Sequence, residues 1–170
     1  MKILTQNFFF LPVIAPATTP ATQYTPGINM GRCEAIQFIC DVGAIGTADY
    51  TITVGCSATA KSTAYDIDIG FYYSKSAAAG TDTMGAMTYV AGTGTSSLGT
   101  GINWANASDS NKAIVIDISS EMLTQGYPYV QLTITKAGSA TAVGMSVNAI
   151  IKPRYPQLTS KDGSGLSFFV

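Results

Sequence analysis

A two-residue hydrophobic period returns in segment after segment of this chain, and it restricts the fold more than any other feature. In "AYDIDIGFYYS", Tyr65, Ile67, Ile69, Phe71 and Tyr73 stand at odd positions, with Asp66 and Asp68 between them. Successive side chains of a β-strand point to opposite faces, so the run has one apolar and one polar face. "CEAIQFICDV" places Ile36, Phe38, Cys40 and Val42 together, and "DYTITVGC" does the same for Tyr50, Ile52, Val54 and Cys56. "AIVIDIS" turns Ile114, Ile116 and Ile118 inward. "YPYVQLTIT" turns Val130, Leu132 and Ile134 inward and Tyr129, Gln131, Thr133 and Thr135 outward. "AVGMSVNAIIKP" aligns Val143, Met145, Val147, Ala149 and Ile151 until Pro153 stops the strand.

No segment of ordinary length carries a helical period. "SSEMLTQG" has capping serines, a helix-forming centre and a glycine stop, which suits one or two turns. The chain has only two glutamates, Glu34 and Glu121, and is rich in Thr, Ser, Ala, Gly and Tyr, a strand and turn composition. Residues 77–101 read as a long decorated loop with one short strand candidate, Met87 to Ala91. About seven or eight strands result, with turns between them, a pattern of all-β sandwiches. The expected fold is an antiparallel β-sandwich, jelly-roll-like, with a small β-barrel as the alternative.

Both ends of the sequence differ from this middle. "FFFLPVIAPATTPATQYTPG", residues 8–27, joins an apolar run to a segment punctuated by Pro12, Pro16, Pro20 and Pro26. Proline cannot donate to a central ladder, so the reading is an extended, polyproline-like spacer. The expected organisation is an arm over residues 1–31, a sandwich over 32–153 and a short tail over 154–170 ending "LSFFV". Lys2, the following apolar stretch and Ala15-Pro16-Ala17 imitate a secretory signal, but Gln6, Asn7 and Pro12 interrupt it. The run is also far shorter than the roughly 20 residues of a membrane span. In a strand Phe8 and Phe10 face opposite to Phe9, so one core cannot cover all three. Phe8, Phe9, Phe10, Leu11, Val13 and Ile14, with Leu166, Phe168, Phe169 and Val170, are therefore the expected partner-contacting residues. Tyr72, Tyr127 and Tyr129 are secondary candidates, since tyrosine buries area while keeping a polar end.

Charge and chemistry narrow the function. Charged residues make up 11% of the chain, and nine basic against ten acidic residues give a net charge of -1. That lacks the basic stripe needed to neutralise phosphates and speaks against nucleic-acid binding. With no histidine, the commonest general base and the commonest metal ligand are both missing. No nucleophile elbow, P-loop, dinucleotide fingerprint or C-x-x-C occurs. No catalytic residue and no cofactor are expected. Asp66 and Asp68 could chelate calcium if a third acid joined them; otherwise they are two solvated acids beside a core stripe. Three cysteines leave at least one unpaired within the chain. Cys40 and Cys56 suit buried free thiols; Cys33 could pair with Cys56 across a hairpin or cross-link to another copy. Asn106-Ala107-Ser108 matches a glycosylation acceptor, meaningful only in a secreted eukaryotic protein. Trp104 either plugs the sandwich end or stacks on a sugar.

Three stretches carry a resemblance: "IDIGFYYSKSAAAGTDTMGAMTYV", "KAIVIDISSEML" and "YPYVQLTITKAGSATAVGMSVNAIIKPRY". Over roughly residues 33–155 the order and character of the strands resemble capsid decoration, cement or head-stabilising proteins of tailed bacteriophages. The resemblance implies a β-sandwich, often trimeric, on the exterior of a virion. Its partners would be the major capsid protein and other copies of itself, with no nucleic acid and no membrane. The implied role is structural and non-enzymatic, bridging capsid subunits through arm and sandwich contacts. A carbohydrate- or receptor-binding sandwich of a fibre or adhesin, using Trp104 and residues 77–101, is the alternative from another class. A neck or tail component is a third.

Overall fold

The computed structural model describes residues 8–19, 21–45, 49–61, 63–77, 80–97, 99–105, 107–137 and 143–154. Its strands are β1 (Phe9–Thr19), β2 (Gln23–Tyr24), β3 (Ile28–Asn29), β4 (Cys33–Val42), β5 (Asp49–Ser57) and β6 (Ile67–Asp68). They continue with β7 (Phe71–Lys75), β8 (Thr88–Val90), β9 (Ile102–Ala105), β10 (Ala113–Ser119), β11 (Tyr129–Ala137) and β12 (Val143–Pro153). The first sheet has the order β1-β12-β4-β10-β7-β8; the second has β2-β11-β5-β6, with β3 also on β11 and β9 also on β5. Every named pairing is antiparallel. The fold is thus the all-β sandwich that the alternation predicts, open at its edges rather than closed into a barrel.

The core forms where the inward residues of the two sheets meet. Ile36, Phe38, Cys40, Ile114, Ile116, Val147 and Ile151 of the first sheet, and Tyr50, Ile52, Val54, Val130, Leu132 and Ile134 of the second, are all buried. Each fully buried Val, Leu, Ile or Phe contributes about 1.5–3 kcal/mol, which makes this layer the main source of stability. A single 3₁₀ turn, Ser120–Met122, stands where the sequence suits a short helix. The strand count exceeds the expectation because β2, β3 and β6 hold only two residues each, too few to display a period, and because β1 and β9 fall in segments not read as strands; β8 lies within the expected Met87 to Ala91.

Two expectations are corrected. The segment placed in an arm over residues 1–31 contributes three strands to the sandwich. β1 lies along β12, with Phe9 opposite Ile151, Phe10 opposite Ile150 and Leu11 opposite Ala149. Register shifts after Pro12 and after Ile14 accommodate the irregular stretch. β1 takes the outer position of its sheet, where a missing N–H costs nothing, so Pro12 and Pro16 fit a strand after all. Residues 23–29 then cross to the second sheet as β2 and β3.

The second correction concerns "AYDIDIGFYYS", which is two strands rather than one. β6 pairs with β5 in the second sheet, and β7 pairs with β10 in the first. The chain changes sheet at Ile69 and Gly70. Gly92 packs so closely there that a Cβ on it would lie 2.4 Å from the Ile69 carbonyl carbon. A Cβ on Gly70 would lie 2.0 Å from the Tyr89 hydroxyl.

Candidate interaction face

The two sheets differ in what covers their outward faces. On the second sheet the outward polar residues Thr53, Ser57, Gln131 and Thr133 are buried. Lys61 and Tyr65 lie above them. The Tyr65 ring rests on Gly55, where a Cβ would come within 2.1 Å of the ring. The Gln131 amide donates to the carbonyl of Thr25 at 2.7 Å and to that of Lys61 at 2.8 Å, tying two segments over the sheet. Over Gly55 and Gln131 that face is covered by the protein's own chain, while Tyr24 on β2 stays 38% exposed.

The outward face of the first sheet has no such cover among the described residues. Pairing registers set Phe10, Ile150, Gln37, Asp117, Tyr72 and Tyr89 side by side in one row crossing all six strands. The neighbouring row runs Pro12, Asn148, Ile39, Val115 and Ser74. Phe10 is 58% exposed, Tyr72 41% and Tyr89 54%. The two tyrosines are tilted against each other with ring centroids 4.9 Å apart. At the centre, the Gln37 amide donates to Asp117 at 2.7 Å, satisfying the one carboxylate in the row. Lys152 answers Glu34 at 2.7 Å near the rim, an exposed pair that adds little stability. Beyond Tyr89, Met84 and Met87 are also exposed. An aromatic-flanked face with few charges has the composition of a protein–protein interface core.

A groove of about 300 Å³ is cut into one end of this face. Phe8, Ala35, Ile118, Met122 and Ile150 supply its apolar lining, with Lys152 at the side.

The expected contact residues divide by position. Ile14 is buried in the core, and Phe9, Leu11 and Val13 are half-buried against it. Phe10 projects outward and Phe8 reaches the groove. Leu166, Phe168, Phe169 and Val170 lie outside the described residues, as does Asn106. Tyr72 belongs to the face; Tyr127 packs on the core, and Tyr129 is a half-buried member of the second sheet.

The chemical candidates resolve into structural parts. Asp66 and Asp68 do not act together. Asp66 forms an ion pair with Lys61 and accepts the Ala58 N–H at 3.1 Å; the hydrogen bond from Lys61 and the others lower its pKa. Asp68, expected on a solvated face, is only 3% exposed, because it sits where β6 meets Thr93, Thr95 and Gly99. It accepts from the Thr93 N–H at 3.2 Å and the Thr93 hydroxyl at 3.3 Å. Burial nevertheless pushes its pKa up, with the donors from Thr93 and Gly99 opposing. Asp109 is held by Lys75 at 2.8 Å and Lys112 at 3.6 Å. Among the described residues no group of three or more Cys, Asp or Glu could hold a metal.

The proposed Cys33–Cys56 disulfide is absent: Cys33, Cys40 and Cys56 are free and buried. Cys33 and Cys56 are not hairpin neighbours but belong to different sheets, β4 and β5. The Cys33 thiol donates to the Asn29 carbonyl at 3.3 Å, and burial raises its pKa to about 11. Burial raises the other two thiols as well. Such thiols are poor nucleophiles at neutral pH. Trp104 is fully buried opposite Tyr50, so it plugs the sandwich and offers no stacking surface.

Sequence reasoning missed the row itself. Outward residues announce themselves only once registers are known, although Tyr72 is among the expected contact residues and Tyr89 carries the same signal, an aromatic within the strand candidate Met87 to Ala91. No protein-family model matches the sequence, and no curated protein matches it.

Proposed function

We propose that this chain is a virion structural protein that decorates and stabilises a tailed-phage capsid, docking through the outward face of its first sheet. The observation that carries the reading is the contrast between the two faces. The protein's own chain covers polar residues on the second sheet, yet leaves Phe10, Tyr72 and Tyr89 uncovered on the first.

The role is non-enzymatic. A subunit that binds only the assembled shell stabilises it by mass action, because the shell must release the binder before it dissociates. Repetition over a symmetric lattice multiplies weak contacts into high avidity. The partners are the major capsid protein and further copies of the chain, arranged as a homotrimer on the capsid exterior. The bridging contact is made by the sheet face, with Phe10 as the part of β1 turned toward the partner.

Co-sedimentation with emptied heads of the phage encoding the chain tests the proposal. The unaltered protein should pellet with the heads, and the Tyr72→Ser/Tyr89→Ser double variant should lose most of that binding while remaining folded. Failure of the unaltered protein to bind heads would remove the capsid role. The sugar-binding alternative loses Trp104, which is buried, and keeps Met84, Met87 and Tyr89 exposed; selective binding on a glycan array would favour it.

A further inference from the structure

We infer that Thr53, Thr133, Tyr65 and Gln131 form an internal site for one bound water molecule, which joins the Tyr65 ring to the outward face of the second sheet. Thr53 on β5 stands directly opposite Thr133 on β11, and Gln131 stands opposite Gly55. Directly opposite residues of an antiparallel pair share a face, so these side chains turn outward together. All three are buried there. Tyr65 lies over Gly55, and its hydroxyl is buried as well. Thr53 Oγ1, Thr133 Oγ1, Tyr65 Oη and Gln131 Oε1 have no hydrogen-bond partner among the described residues. Roughly 90% or more of buried polar groups find a partner, so four orphaned oxygens on one face call for a shared one. Only one further buried side-chain atom among the described residues is orphaned, Trp104 Nε1 on β9.

Gln131 fixes the polarity of the site. Its amide hydrogens go to the carbonyls of Thr25 and Lys61, and turning the amide over would set Oε1 against both carbonyl oxygens. Oε1 is therefore an acceptor in need of a donor. Burial raises the Tyr65 pKa and the Thr53 hydroxyl opposes that rise, so the two hydroxyls are neighbours, yet neither has a direct hydrogen-bond partner. A water molecule has two hydrogens and two lone pairs, which suits one partner that only accepts and three hydroxyls that do either. It donates to Gln131 Oε1 and to one threonine hydroxyl, and it accepts from Tyr65 and from the other threonine. A metal cation fits less well, because hard cations draw on carboxylates. The carboxylate of this row, Asp68 opposite Gly55, is committed to donors from Thr93 and Gly99. The site lies on the second sheet, so it stands or falls independently of capsid docking through the first.

Magnetic relaxation dispersion of water ¹⁷O, measured on the full chain, counts long-lived internal waters without interference from exchanging hydroxyl protons. The unaltered chain should hold about one more such water than the Thr53→Val/Thr133→Val variant. The Thr53→Ser/Thr133→Ser variant, which keeps both hydroxyls, should retain it. Equal dispersion in the unaltered chain and the valine variant, with near-ultraviolet circular dichroism showing both folded, overturns the inference. A crystal structure of the unaltered chain tests the same site without any substitution. One ordered water should lie about 2.7–3.2 Å from at least three of the four oxygens. Hydroxyls bonded to one another with no water between them overturn the inference, as does an ion in that position at about 2.3–2.6 Å.

Discussion

β1 supplies a comparison within one strand, because Ile14 and Phe10 are only four residues apart and differ sharply in burial. Ile14 is 9% exposed opposite Val147, whereas Phe10 is 58% exposed. Truncating a buried isoleucine to alanine costs about 2–5 kcal/mol, and a site on an outer strand can relax, which places Ile14→Ala near 2–3 kcal/mol. Phe10→Ala removes a ring already mostly in water and should cost about 1 kcal/mol or less. With a urea dependence of about 2 kcal/mol per molar, Ile14→Ala should lower the unfolding midpoint by roughly 1 M. The Phe10→Ala midpoint should fall by less than about half of that. Both measurements are made at two protein concentrations a hundredfold apart. If β1 belonged to a neighbouring copy, dilution would itself remove about 2.7 kcal/mol. Equal effects of the two substitutions, or a midpoint that moves with concentration in the unaltered chain but not in Ile14→Ala, would refute the assignment of β1 to its own sandwich.

Two further outcomes follow from the buried polar groups. The folded-state pKa of Asp68 lies above its unfolded value, so the folded protein binds the proton first and the ionised form is a cost at neutral pH. Asp68→Asn should therefore be more stable than the unaltered chain at pH 7. The advantage should fade as the pH falls through the raised value toward 3.8, and a constant advantage across that window in chemical denaturation would contradict the account. All three thiols should resist a thiol reagent in the native state and react together on unfolding, with only monomer on a non-reducing gel; a disulfide-linked band would show that Cys33 is not buried as described.

The core was legible in the sequence wherever a strand keeps one partner layer. Alternation in residues 33–42, 113–119 and 143–153 named the inward residues correctly, since period two is a direct consequence of the pleat. It could not reveal the sheet change at Ile69 and Gly70. The inward residues of both sheets point into the same core, so a chain crossing between sheets keeps its alternation unbroken. The same blindness hid Asp68, Gln131 and Thr133, polar residues at outward positions that loops from distant sequence cover. The prolines of β1 suggested a free spacer because their effect depends on whether a strand has one neighbour or two. That is a property of topology. The candidate face was less legible still, since its row joins residues from six strands and exists only through their registers.

Hydroxyl-radical footprinting of the shell-bound protein tests the central claim most directly. Phe10, Tyr72 and Tyr89 project from the first sheet, while Tyr24 is 38% exposed on β2 of the second and serves as the internal control. Binding to emptied heads should reduce oxidation of the first three several-fold and leave Tyr24 unchanged. Protection of Tyr24 with continued oxidation of Tyr72 and Tyr89 would place the contact on the opposite side of the sandwich and contradict the claim.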